Sequence, residues 1–294
     1  SVIPGRRYKI TRRCLERRFF LTPDCDVRNA LGYILAWCLE EYGLQLHAAC
    51  FMANHYHLDV TDVRGNFPAF KCKLNSLIAK AFNAKRGRFD RFWSADAPCD
   101  VELVSDDDVI SRMAYTLANP VSAGLVRRAR RWPGLTTAGL AFGTKVRFKR
   151  PSWYFDAANL DVPDTAELTV VRPDVMKELS DEQLLARLED EVRDIEADVQ
   201  ERLRKSGRRF LGESRLFNQR WNDHPNSRAT RFGTRPTVAA SNKWARVAAL
   251  QRNARWDADY AAAYEGRLRG ERYSFPYGCY AERRFHGARV APPP

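Results

Sequence analysis

The run LQLHAACFMANHYHLDVT, Leu44 to Thr61, decides how this chain folds. Leu46 to Met52 is apolar almost throughout, as in a buried strand, and Ala53-Asn54 supplies a turn before a second strand at His55 to Thr61. The result is a hairpin. Side chains two apart on a strand point the same way, so His55, His57 and Asp59 share one face while Tyr56 packs on the other. Two neighbouring imidazoles can grip one metal ion, and with only five histidines in 294 residues the pair stands out.

Outward from the hairpin, Arg7 to Cys14 reads as a first strand, followed by the basic, aromatic Arg17-Arg18-Phe19-Phe20. Pro23 stands where a helix begins, and Val27, Ala30, Leu31, Ile34, Leu35, Cys38 and Leu39 recur at helical spacing up to Gly43. After the hairpin, Asn66 and Pro68 open a helix with the apolar stripe Phe67, Phe70, Leu74, Leu77, Ile78, Ala81 and Phe82. Lys71, Lys73, Asn75, Lys80 and Lys85 lie on its other face. Asp100 to Val104 predicts a further strand. Ser105-Asp106-Asp107-Asp108 resembles a capping box for a helix that Asn119-Pro120 stops near Ala118. In that helix Val109, Ile110, Met113 and Leu117 span an arc of about 100° that should face the core, and Tyr115 lies off it, on the flank of Asn119. Strand, helix, strand, strand, helix, strand, helix is the order of an α+β fold, an antiparallel sheet with helices packed on one face.

The texture changes beyond Trp132-Pro133-Gly134, which divides the chain into a catalytic domain at 1–135, a mixed connecting region at 136–179 and a mainly helical extension at 180–294. Ser180 to Arg204 and Asn242 to Leu268 are the long helices of that extension, which has a DNA-binding, site-covering, buttressing or oligomerising role. No apolar run reaches the length of a membrane span and the opening residues lack a signal-peptide stretch, so a cytosolic protein without a membrane partner is expected. Seven scattered cysteines without a C-x-x-C pair argue against a disulfide framework and against a cysteine zinc site. A net charge of +13 implies a polyanionic partner, and since Asp181 to Glu201 is acidic the positive excess sits elsewhere.

Two histidines plus one oxygen ligand, with coordination positions open, suit a divalent ion that polarises a phosphate oxygen. A tyrosine near such an ion can attack phosphorus, its phenol activated by the metal and by proximity, because a free phenol with a pKa near 10 is a poor nucleophile. Three segments sharpen this reading: Tyr8-Lys9-Ile10-Thr11-Arg12-Arg13, Met52-Ala53-Asn54-His55-Tyr56-His57-Leu58, and Tyr115-Thr116-Leu117-Ala118-Asn119-Pro120-Val121-Ser122-Ala123-Gly124-Leu125-Val126. Through them the chain, from Arg7 to Pro133, resembles the single-tyrosine HUH transposases and their REP-associated tyrosine transposase relatives in bacteria.

That resemblance implies a ferredoxin-like domain that binds single-stranded DNA folded into hairpins, with Mg²⁺ or Mn²⁺ at His55 and His57. Tyr115 matches the nucleophile, which becomes joined to the 5′ side of the break, and Asn119 matches the third, oxygen ligand. The chain departs from the family pattern at Ala53, where a proline is common, and at Asp59, where the residue is usually apolar. Asp59 is then an extra ligand, an acceptor behind the ligands, or a solvent-facing or salt-bridged carboxylate.

Arg12, Arg13, Arg17, Arg18, Lys71, Lys73, Arg88 and Arg91, interleaved with aromatics, suit the phosphates and unstacked bases of a single strand, and Arg127 and Arg128 suit a DNA flank. Three functions remain open at this point. The first is a strand transferase, working within one chain or across a homodimer. The second is a domesticated binder of repetitive hairpins, and the third a hydrolytic zinc enzyme with no need of Tyr115.

Overall fold

The computed structural model describes residues 1–96, 98–156, 158–227 and 236–293. Its first half runs β1 (Arg6–Arg13), α1 (Cys25–Tyr42), β2 (Leu44–Phe51), β3 (His55–Asp62), α2 (Phe67–Lys85), β4 (Cys99–Leu103) and α3 (Asp106–Ser122). The strands lie in the order β2-β3-β1-β4, each pair antiparallel. This is the ferredoxin-like arrangement expected from the sequence.

The register of β1 on β3 sets Lys9 opposite Asp59, Thr11 opposite His57 and Arg13 opposite His55. On β2 the pairing slips between Leu46 and Ala48, so His47 is the extra residue of a bulge. The slip sorts the apolar run of β2 between two cores. Leu44, Leu46, Ala49 and Phe51 join Tyr8, Ile10, Tyr56, Leu58 and Val60 under α1 and α2. Ala48 and Cys50 turn to the other face.

Helix α1 starts at Asp24, whose carboxylate accepts from Val27 N at 2.6 Å, and ends at Gly43, held at φ 68°. Asn66 does not cap α2 with its side chain. Asp62 does that work, accepting from Asn66 N at 2.9 Å and Phe67 N at 3.0 Å.

Of the helices, α1 and α2 share a face, while α3 crosses the opposite one, where Val109, Ile110, Met113 and Leu117 meet Ala48 and Leu103. The first face is already filled by α1 and α2, and the apolar arc of α3 finds its cover on the second. The expected stop at Pro120 does not occur, and α3 continues to Ser122. In a last turn a proline deletes only its own bond, to the Thr116 carbonyl, and bonds from Ala123 N to Asn119 O (3.0 Å), Gly124 N to Val121 O (2.8 Å) and Leu125 N to Pro120 O (3.0 Å) close the end. Nor does Ser105 form a capping box; its hydroxyl donates to Asp108, whose carboxylate also accepts from Ser241 N at 2.8 Å.

The second half adds β5 (Lys145–Lys149), β6 (Thr165–Thr169), α4 (Asp181–Lys205), α5 (Glu213–Phe217), β7 (Val238–Ala239), α6 (Lys243–Leu268) and α7 (Tyr280–His286). Packing runs through residue 135 without a break. Phe148, Ala166 and Leu168 of the β5-β6 hairpin extend the core over α1, and Leu184, Leu188, Val192 and Ile195 of α4 close over α3. A capping box of Ser180 and Gln183 starts α4, β7 pairs parallel with β4, and Arg252 of α6 reaches Glu102 at 2.7 Å. Along the outer side of β2, Phe51 N donates to Leu135 O (2.8 Å), Thr137 N to Ala49 O (3.0 Å) and Val171 N to Leu46 O (2.7 Å). Among the described residues no disulfide forms and no helix is long and apolar enough to cross a membrane.

Candidate active site

Strand alternation places Lys9, Thr11, Arg13, His55, His57 and Asp59 on the face that α3 covers. His55 opens β3, and its Nδ1 lies 2.7 Å from Asn54 Oδ1, while Asn54 Nδ2 donates to Arg17 O at 3.1 Å. His57 Nδ1 lies 2.8 Å from Thr11 Oγ1. With both Nδ1 atoms engaged, each ring offers Nε2. The rings meet edge to face, centroids 4.9 Å apart.

Both imidazoles are held neutral. Burial pushes His55 down to about 4, helped by the Arg13 and Arg17 charges and opposed by its contact with Asn119. Burial also pulls His57 well below the usual range, with His55, Lys9 and Arg13 adding to the effect. A neutral imidazole keeps the lone pair that a metal needs.

Two residues of α3 complete the group. Asn119 is 6% exposed and sets Oδ1 3.2 Å from His55 Nε2. One turn earlier, Tyr115 is 42% exposed, its ring edge-on to His57 at a centroid distance of 5.8 Å. The apolar arc of α3 is pinned to the sheet by Met113 and Leu117, and this rotation turns the Tyr115 and Asn119 flank toward the histidines.

The donor set fits a divalent cation. Among the described residues no three His, Cys, Asp or Glu side chains gather to hold a metal, and an ion held here would draw on the two imidazoles and the Asn119 amide oxygen. Two ligands at right angles on an ion with bonds of about 2.1 Å stand about 3 Å apart, close to the observed Nε2 to Oδ1 spacing. His55 lies between two amide oxygens, Asn54 Oδ1 and Asn119 Oδ1, yet a neutral ring has a single N–H. A cation held by Nε2 and Asn119 Oδ1 would satisfy both lone pairs.

Asp59 is 1% exposed, which overturns the solvent-facing alternative; α3 covers it. Neither carboxylate oxygen makes a hydrogen bond of ordinary geometry among the described residues, although the Thr116 hydroxyl stands close enough to act on the group. Burial raises its pKa to about 6, against the lowering effects of Lys9, Thr116 and Arg112. It lies four residue steps along the strand from His55, about 13 Å.

The cations expected to meet nucleic acid are spread over several surfaces. Arg13 is exposed on the site face, opposite His55. Arg17 donates to Ser227 Oγ at 2.8 Å, and Arg18 to Asn222 O at 2.6 Å and Glu16 at 3.0 Å. Arg12 stacks over Trp93 at 5.8 Å, and Arg88 over Phe20 at 4.1 Å, while Arg91 stays exposed. Lys71 pairs with Asp100, and Lys73 sits 5.2 Å over Trp37. Both lysines ride on α2, across the sheet from the histidines. Arg127 and Arg128 follow α3 on its own side of the sheet, both exposed, with Arg128 2.8 Å from Glu196.

The sequence reading gave no role to Lys9, Thr11, Asn54 or Thr116, which the structure brings into the group. Their signal was present in β1, where Lys9 and Thr11 alternate with the core residues Tyr8 and Ile10. Polar side chains facing inward on a central strand need partners.

No family model matches the chain, and no curated protein matches it. Among solved structures it is similar to a REP-associated tyrosine transposase bound to a REP hairpin, at 17% identity and a TM-score of 0.40, over 47% of this chain and 79% of that one. It is also similar to a candidate transposase from Deinococcus radiodurans R1, at 19% identity and a TM-score of 0.29, over 34% of this chain and 79% of that one.

Proposed function

We propose that the chain is a metal-dependent, HUH-type endonuclease and strand transferase of DNA transposition, which cuts single-stranded DNA at hairpin-flanked sites and rejoins ends through a covalent 5′-phosphotyrosine. One observation carries this reading: His55, His57 and Asn119 converge on one face with a half-exposed Tyr115 ring against His57. A hydrolytic zinc enzyme would have no use for that tyrosine.

Mg²⁺ or Mn²⁺ held by His55, His57 and Asn119 would draw charge from the scissile phosphate. The protein's own groups do the rest. Asn54 and Thr11 hold the two imidazoles by their Nδ1 atoms, which would leave both Nε2 atoms to hold the ion. Tyr115 Oη attacks phosphorus and gives up its proton, the P–O3′ bond breaks, and the departing 3′ oxygen takes up a proton as a hydroxyl. The new P–Oη bond keeps the energy of the phosphodiester. A second 3′-hydroxyl reverses the step, so joining needs no nucleotide cofactor.

Arg13 beside His55 and the exposed Arg127 and Arg128 are the cations best placed to hold the strand's phosphates. The hairpin partner rests on the motif resemblance, which joins His-x-His to Tyr-x-x-x-Asn-Pro-Val-x-x-Gly-Leu-Val. Incubating the protein with labelled hairpin single strands and Mn²⁺ should give an adduct that survives denaturation and is lost in Tyr115→Phe. Tight binding with no adduct at any metal concentration would leave a domesticated hairpin binder in its place.

A further inference from the structure

Among the described residues, Lys9 is the cation buried beneath α3 on the sheet's site face, and the chemistry proposed for Tyr115 does not employ it. It lies in the middle of β1 and is 7% exposed. Its ammonium has three donors. One reaches Arg112 O at 3.1 Å and another Thr116 Oγ1 at 2.5 Å. The charge itself stands 4.6 Å from the centroid of the Tyr115 ring. The two acceptors bracket Tyr115 in sequence, three residues before it and one after, so a single strand residue grips the turn that carries the phenol.

Burying an ammonium costs several kcal/mol unless it is compensated. Compensation comes from those two acceptors, from the face of the aromatic ring and from Asp59, its cross-strand neighbour. The buried carboxylate of Asp59 thereby gains a purpose, as the opposite charge that helps make a buried lysine tolerable here. An apolar residue at position 9 would join strand to helix as well as a lysine does, but it would bond neither Arg112 O nor Thr116 Oγ1, the two acceptors that flank the phenol on the turn.

We propose that Lys9 is a positioning residue for Tyr115: it locks the Arg112–Thr116 turn onto β1, with its nitrogen over the Tyr115 ring, so that the phenol ring meets His57. This rests on the reading of Tyr115 as the nucleophile. The positioning is nevertheless measurable without DNA.

The test compares the full-length wild type with Lys9→Met, a side chain of similar length without charge or donors, and with Asp59→Asn. Circular dichroism first establishes that each variant is folded, and Mn²⁺ titration that the His55–His57 pair is intact. In Lys9→Met the nuclear Overhauser effect between the Tyr115 and His57 rings should disappear or weaken several-fold. Single-turnover adduct formation at saturating hairpin DNA should slow at least tenfold, with the half-saturating DNA concentration changed less than about twofold.

Asp59→Asn should keep the ring contact and slow the reaction less. A folded Lys9→Met protein that keeps the wild-type ring contact overturns the proposal, as does one that forms adduct within twofold of the wild-type rate. Absence of adduct in the wild type would instead count against the nucleophile reading, and the ring contact would then decide the role of Lys9 by itself.

Discussion

His47 shows how one buried side chain ties stability to pH. It is the bulge residue of β2, its Nδ1–H donating to Val171 O at 2.7 Å while its Nε2 accepts from the Thr61 hydroxyl at 2.8 Å. Burial lowers its pKa to about 4, against about 6.5 in an unfolded chain. Between those values the unfolded state holds the extra proton, so this histidine's contribution is complete above pH 6.5 and is lost as pH falls toward 4, at up to about 1.4 kcal/mol per unit. Urea unfolding at pH 7, 6 and 5 should show a flatter decline in His47→Gln than in the wild type. An equal decline in both would mean that His47 is already charged in the folded state.

Gly32 poses a problem of whole elements, since a glycine inside α1 costs about 1 kcal/mol against alanine. The reason lies in a neighbouring strand: a Cβ at Gly32 would stand 2.4 Å from the Phe148 ring of β5. Gly32→Ala should therefore destabilise the protein by about 1–3 kcal/mol despite its better helix propensity, read as a lower urea midpoint. A midpoint at or above the wild type's would mean that Phe148 moves aside freely. Such a contact cannot be read from the chain, because it joins residues more than a hundred apart. Where spacing within one element decides, the sequence was enough. The alternation in β3 and the α3 arc of Val109, Ile110, Met113 and Leu117 predict which residues share a face, and the tyrosine and histidines do meet. It failed where an answer depends on what covers a surface. Alternation within β3 leaves Asp59 open between ligand, acceptor and solvent-facing carboxylate until α3 is seen to cover it, and spacing within α2 does not tell that its lysines lie across the sheet from the histidines. Pro120 read as a stop because local propensity takes no account of a helix end closed by backbone bonds.

At the scale of the molecule, the tyrosine and the histidines that face each other belong to the same chain. Mixing a His57→Ala subunit with a Tyr115→Phe subunit should therefore restore no adduct. Recovery of more than a few per cent of wild-type yield would show that the working pair forms across two copies. The segments beyond residue 135 share in the same cores, through Phe148 and Leu168 over α1 and Leu184 and Leu188 over α3. They also run along the outer side of β2, and that has a consequence for assembly. A strand at the margin of a sheet ordinarily leaves a ladder of open rungs for a newcomer to climb onto. Here Leu135, Thr137 and Val171 already stand on those rungs, and the opposite margin, β7, is two residues long. Among the described residues, then, the two margins of this sheet offer a second copy little open backbone on which to lay a strand.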